Sequence, residues 1–137
     1  MERIVVGVDG SEGSLAALGW AVDEARRRNA GVEAVYTWQQ AWVAPTHILG
    51  DVEFFAEKAE EVLDAAIAAV DTAGVEIERK LSTGSPAQAL IDESKGAALL
   101  VVGSRGRGGF TGLLLGSVGQ HVAQHARCPL VIVPAAA

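Results

Sequence analysis

The sequence predicts an α/β fold: an open five-stranded parallel sheet, doubly wound, with helices on both faces. Three observations lead there. Ile4–Val8, apolar apart from Gly7, and Leu99–Val102, apolar throughout, have the composition of strands covered on both faces. Segments with apolar residues at helical spacing separate the strand candidates. Strict alternation with crossovers of helix length specifies parallel neighbours joined by right-handed connections. At 137 residues, 50% hydrophobic and 20% charged, the chain is expected to form a single domain over residues 1–137. Surface scaling lets a chain of this mass bury roughly two-thirds of its surface, enough for a core without staples.

After the first strand, Leu15, Leu18, Ala21, Val22 and Ala25 recur at helical spacing behind two candidate caps, Ser11 and Ser14, and define a helix from near Ser14 to Arg28. Val32–Trp38 is the second strand. Gln39–Gly50, with Trp42, Pro45 and His47, is expected to be a long loop. Asp51–Ala73 carries Val52, Phe55, Ala59, Val62, Ala66 and Val70 on one stripe, with Glu57, Glu60, Glu61 and Asp64 off it, and makes the second helix. Val75–Leu81 alternates apolar and polar residues, as suits a strand at a sheet edge. Pro86 opens a third helix that reaches about Ser94. The Leu99 strand is followed by a glycine-rich stretch, a helix over Ser117–Ala126, and a last strand, Leu130–Val133, between Pro129 and Pro134. Ala135–Ala137 is expected to fray. Placing the two wholly apolar strands centrally sets the strand order 3-2-1-4-5, a Rossmann-like arrangement. A crevice then opens at the carboxyl ends of strands one and four, where Gly7–Asp9 and Gly103–Ser104 fall.

Composition narrows the function. Seventeen acidic against eleven basic residues leave a formal charge of −6. That balance opposes nucleic-acid binding, which needs clustered Lys and Arg to displace counterions from the phosphate backbone. Cys128 is the single cysteine, so neither an intramolecular disulfide nor a thiolate metal cluster can be assembled. No apolar run approaches bilayer length and the opening residues lack a secretory pattern, so no membrane association and a cytoplasmic location are expected.

Gly103-Ser104-Arg105-Gly106-Arg107-Gly108-Gly109-Phe110-Thr111-Gly112, continued through Gly116-Ser117-Val118, holds six of the sixteen glycines and joins a buried strand to a helix N-terminus. Glycines there let backbone N–H groups approach a phosphate, and the following helix adds its unpaired donors and positive dipole end. Arg105 and Arg107 supply neutralising charge. The plainer alternative is a mobile loop. No lysine follows a glycine, so the P-loop pattern is absent, and Thr111 stands where the dinucleotide fingerprint would need its third glycine.

These residues resemble the universal stress protein family, within the HUP superfamily of nucleotide-binding α/β domains. The carrier is Gly103-x2-Gly106-x9-Gly116-Ser117, which matches the G-x2-G-x9-G-[ST] signature of the UspA-like, ATP-binding members. The opening Ile4-Val5-Val6-Gly7-Val8-Asp9-Gly10-Ser11, the Val101–Gly106 strand and loop, and the closing Cys128-Pro129-Leu130-Val131-Ile132-Val133 support it, so the resemblance spans essentially the whole chain. It implies that ATP is bound with Mg2+ or Mn2+. On this resemblance Asp9 meets the nucleotide near the ribose and phosphates, directly or through the cation. Thr37 offers a backbone contact to the adenine edge with Val8 beside it, Gly103 and Gly106 are close-approach positions for the phosphates, and Ser117 with the Val118 N–H forms the anion site. Gly119 departs from the pattern: family members often carry a hydroxyl there, which bears on phosphate affinity.

Several of these residues have plainer roles open to them. Asp9, before Gly10 and Ser11, suits a turn or cap as well as a nucleotide or metal contact. His121 and His125, four apart on a helix, could face one metal ion, but no third ligand is visible. Arg26-Arg27-Arg28 complements a helix C-terminus, and Trp38 and Trp42 suit core or loop cover more than base stacking. No Ser-His-carboxylate group or paired acid and base stands out, and ATP without a placed base hydrolyses slowly. The expected function is an ATP-binding regulatory protein of the stress response with at most weak ATPase activity. A true ATP phosphohydrolase and a nucleotide-independent dimeric interaction module are the rivals. Leu130–Val133, apolar on both faces yet with one neighbour, is expected to pair with its own copy in a homodimer. Nothing in the sequence names a protein partner.

Overall fold

The computed structural model describes residues 1–38, 49–104 and 117–134. Among these, the apolar runs and helical stripes become β1 (Arg3–Gly7), α1 (Glu12–Arg28), β2 (Gly31–Trp38), α2 (Leu49–Ala68), β3 (Ile77–Thr83), α3 (Pro86–Ser94), β4 (Leu99–Gly103), α4 (Ser117–His125) and β5 (Leu130–Val133). The strands form one sheet in the order β3-β2-β1-β4-β5 with every neighbouring pair parallel, as expected.

The period of two along each strand sorts side chains between the faces. Ile4, Val6, Val32, Ala34 and Val101 pack with Ala17, Leu18, Ala21 and Val22 of α1 and with Leu63 and Ala66 of α2. Val5, Val35, Leu100 and Val102 pack on the other face with Ala87, Leu90 and Ile91 of α3 and Val122 of α4. On α2 the buried stripe is Ala59, Leu63 and Ala66; Leu63 is in the core, and Val62, expected there, is half-buried on the flank.

The element ends show which local signals won. Ser11 is the cap of α1: its side chain accepts the Ser14 N–H at 3.2 Å, while the buried Ser14 hydroxyl donates back to the Ser11 carbonyl at 3.0 Å. The helix therefore begins at Glu12, ahead of the expected Ser14. At its other end Asn29 turns left-handed with φ 57° and donates its N–H to the Ala25 carbonyl, and Arg26, Arg27 and Arg28 sit in the last turn against the negative dipole end. Arg26 also donates to the Asp71 and Ala73 carbonyls, both at 3.1 Å, pinning the connection after α2.

That connection replaces the last turn expected of α2. The Val70 N–H reaches only to the Ile67 carbonyl at 3.2 Å, and the Asp71 side chain captures the Ala73 N–H at 3.1 Å, so α2 stops at Ala68 and not at Ala73. The Val75 N–H closes a turn onto the Thr72 carbonyl at 3.0 Å, which delays β3 to Ile77, opposite Val32. β3 does lie at a sheet edge, but Glu78, Arg79 and Lys80 are all exposed instead of alternating. Ser85 caps α3 by accepting the Gln88 N–H at 3.2 Å ahead of Pro86. α4 ends at His125, one residue before the expected Ala126. Leu49 and Gly50 belong to α2 and not to a loop. The remainder of the expected loop with Trp42, the side chains of Trp38, Val52 and Phe55, and Ala135–Ala137 lie outside the described residues.

Candidate functional site

β1 and β4 lie side by side, Ile4 opposite Leu99, and their chains leave toward opposite edges: β1 leads through α1 to β2, β4 through α4 to β5. A crevice of this kind forms at the carboxyl ends of the strands where the winding reverses. Val8 and Asp9 stand at the end of β1, Gly103 and Ser104 at the end of β4, and Thr37 near the end of β2, in register with Ser82 of β3. Ser117 is exposed and Val118 half-buried at the start of α4. The structure thus gathers Gly7, Val8, Asp9, Gly103 and Ser104 at two adjoining strand ends. Arg105, Gly106, Arg107 and Gly116 lie outside the described residues.

Asp9 is built into the start of α1. Its Oδ1 accepts the Ser11 N–H at 2.9 Å and the Ser11 hydroxyl, and its own N–H donates to the Ser14 Oγ at 3.2 Å. Gly10, with φ 83°, turns the chain between them. The turn role open to Asp9 is therefore present, and it holds a carboxylate at a helix N-terminus, where the dipole favours negative charge. Val8 is buried, with its N–H on the Val35 carbonyl at 2.8 Å, and the Ser104 N–H donates to the Val133 carbonyl at 2.9 Å.

The two strand-end glycines have packing reasons that the sequence did not reveal. A Cβ on Gly103 would lie 2.7 Å from the Gly13 carbonyl oxygen and 2.8 Å from its carbon, so the end of β4 rests on the backbone of the first turn of α1. A Cβ on Gly7 would lie 2.9 Å from Leu90 Cδ1 of α3. Both bring helices tightly against the strand ends that frame the crevice.

A second polar cluster, near the amino ends of β1 and β2, went unnoticed in the sequence. Arg3 Nη1 bonds Glu33 Oε2 at 2.6 Å and the Glu93 carbonyl at 3.0 Å, and Lys80 Nζ meets Glu93 Oε2 at 2.6 Å. Glu33 is buried. Burial, then the hydrogen bond and charge of Glu93, push its carboxyl above the ordinary 4.5 against the pull of Arg3. Burial also raises Glu93, but hydrogen bonds with Lys80 and Glu33 and the charges of Lys80 and Arg3 outweigh it and hold that carboxyl below 4.5. The available signal was one acid in the otherwise apolar start of β2. Burial pushes the Cys128 thiol up, which opposes thiolate chemistry. Among the described residues no group of three His, Cys, Asp or Glu side chains could hold a metal, and no helix is long and apolar enough to cross a membrane.

A family model for the universal stress proteins matches residues 1–134. The chain belongs to the universal stress protein family. It is 41% identical over 131 residues to a universal stress protein of Mycobacterium tuberculosis, covering 94% of this chain and 44% of that relative. A second relative, from Mycolicibacterium smegmatis, is 38% identical over 139 residues, with 95% of this chain and 45% of the relative covered. This universal stress protein chain thus spans under half the length of those curated relatives. Among solved structures, a universal stress protein in complex with cAMP is 30% identical, covers 98% of each chain and superposes with a TM-score of 0.64. An Arabidopsis thaliana family member with AMP bound, 22% identical over 100% of this chain and 94% of its own, superposes with a TM-score of 0.69 and shares the fold.

Proposed function

We propose that this universal stress protein is a regulatory ATP-binding protein that holds the nucleotide in the crevice between β1 and β4. The observation that carries the reading is the spacing Gly103-x2-Gly106-x9-Gly116-Ser117, which runs from the last residue of β4 to the first residue of α4. The 30% identical relative in complex with cAMP supports an adenine nucleotide as the ligand class. Phosphates approach the backbone at Gly106 and the N–H groups of Ser117 and Val118 at a helix N-terminus, with Arg105 and Arg107 balancing charge. Val8 and Thr37 flank the adenine and ribose.

Asp9 fits a divalent cation shared with the phosphates. Mg2+ characteristically uses one or two carboxylates together with phosphate oxygens and water, not an all-protein cage, and a single carboxylate held at a strand end matches that donor set. Mn2+ accepts the same oxygen ligands. When bound, the cation neutralises phosphate charge. Hydrolysis is slow on this reading, because the carboxylate assigned to the crevice, Asp9, serves the helix turn and the cation, and the other residues assigned there are not general bases.

Calorimetric titration of the full chain with ATP tests the site. Gly106→Val puts a side chain where backbone must meet phosphate and should weaken binding markedly; unchanged affinity in a folded variant removes the loop from the site. Asp9→Asn keeps an Oδ1 acceptor for the turn and removes the carboxylate charge. Loss of a charge-assisted contact should cost about tenfold or more in Mg2+ and less in EDTA; equal losses would indicate a direct ribose hydrogen bond, and no loss would leave Asp9 as a turn residue.

The functional unit on this reading is a homodimer through β5. All four of its residues are half-buried and, among the described residues, β4 is its one strand neighbour. Antiparallel pairing of Leu130–Val133 with a second copy satisfies the edge and closes the assembly. Light scattering should show a dimer, and Ile132→Pro should disrupt it. A wild-type monomer persisting at high micromolar concentration, or an intact dimer in the variant, rules out this interface.

A further inference from the structure

His121 and His125 lie on α4 four residues apart, a spacing that stacks two side chains one turn apart on one helix face. Both are exposed. With Gln88 of α3, Gln124 and Arg127 they line a groove of about 580 Å³ between α3 and α4. Their ring centroids are 4.8 Å apart, with the planes inclined by 43°.

That separation has a coordination meaning. An imidazole nitrogen binds a divalent ion such as zinc at about 2.0–2.1 Å, which puts each ring centroid about 3.2 Å from the ion. Two such rings have centroids about 4.5 Å apart at a right-angle coordination site and about 5.2 Å apart at a tetrahedral one. The observed 4.8 Å falls between these values, so the ring separation suits a shared ion in either geometry.

We infer that His121 and His125 form a two-imidazole site for a late first-row divalent metal ion, Cu2+ held more tightly than Ni2+ or Zn2+ by the Irving–Williams order. Among the described residues no third His, Cys, Asp or Glu completes the set. On this assignment water or an external ligand fills the remaining positions, as in metal sites that retain an exchangeable position. Arg127 lines the same groove; its positive charge favours an anionic external ligand, such as a carboxylate or chloride, over a neutral one. The metal assignment rests on His121 and His125 alone and does not depend on the proposed nucleotide site.

The test is titration of the tag-free, metal-stripped full chain with CuCl2 in a non-coordinating buffer, followed by calorimetry and electron paramagnetic resonance. One equivalent should bind with coupling to two imidazole nitrogens. Because the second imidazole binds intramolecularly, His121→Asn or His125→Asn should each lower affinity by about tenfold or more. Both positions are exposed, so the variants are expected to fold, and circular dichroism checks this. Gly106→Val should leave the Cu2+ isotherm unchanged. Wild-type affinity in the double variant His121→Asn/His125→Asn, single-nitrogen coupling, or loss of binding in His47→Asn instead would overturn the assignment.

Discussion

Gly103→Ala is the sharpest test of how the crevice is framed. The added Cβ would stand 2.7 Å from the Gly13 carbonyl oxygen and 2.8 Å from its carbon, where ordinary contact begins at 3.4 Å, so two backbones must separate by more than half an ångström. Neither yields easily: β4 is hydrogen-bonded between β1 and β5, and Gly13 lies in the first turn of α1, fixed by the Ser11 cap. Overpacking of this kind costs about 1–3 kcal/mol. Gly103 is not among the described glycines with positive φ, so alanine also removes unfolded-state freedom worth about 0.4–1 kcal/mol in its favour. The net expectation is a loss of about 1–2 kcal/mol, seen as a melting temperature lower by roughly 4–8 °C for a domain of this size. Two other glycines calibrate the measurement. A Cβ on Gly7 meets the flexible end of Leu90 at 2.9 Å, and one on Gly19 in α1 meets nothing within 4 Å. Gly7→Ala should therefore cost less than Gly103→Ala, and Gly19→Ala should stabilise by about 0.5–1 kcal/mol. Urea denaturation with equal slopes reads all three. A Gly103→Ala protein as stable as wild type, or one less perturbed than Gly7→Ala, would refute the packing argument.

Ser11→Ala should cost about 1 kcal/mol, the usual value of an N-cap, with Ser11→Thr, which keeps the hydroxyl that Asp9 accepts, restoring most of it; equal urea midpoints for wild type and the alanine variant would deny Ser11 that role. The Glu33 and Glu93 carboxyls should titrate with opposite consequences. Glu33 is raised, so its ionised form weakens folding at neutral pH and that penalty fades as pH falls through its folded value toward 4.5. Glu93 is lowered, so its contribution is present above 4.5 and disappears as pH falls through its folded value. Relative to Glu33→Gln, wild type should gain stability on acidification to pH 4.5, whereas the advantage of wild type over Glu93→Gln should shrink below it. Urea midpoints across pH check both, and pH-independent differences would contradict the coupling.

Much of the candidate site was legible in order but not in cause. The glycine spacing from Gly103 to Ser117 and the position of Asp9 after β1 point to the candidate site in the sequence because strands, turns and helix starts are written in neighbouring residues. The cap of α1 was narrowed to Ser11 or Ser14, and only the hydrogen bonds separated them: Ser11 faces the open N–H of Ser14, while Ser14 turns inward to Asp9. The end of α2 was misplaced because helical pattern continues through Val70, and the opposing events are an Asp71 turn and a reach by Arg26 from another helix.

The sequence by itself determined the parallel sheet and its strand order, because burial acts on each strand and helix through its own period. Tertiary structure decided the rest. The clash that requires Gly103, the Arg3–Glu33–Glu93–Lys80 cluster and the groove beside His121 and His125 each join elements distant in the chain. Their energies come from close approach in space, down to 2.6 Å between Arg3 and Glu33, and no local pattern of residues encodes which distant backbone or charge will arrive there.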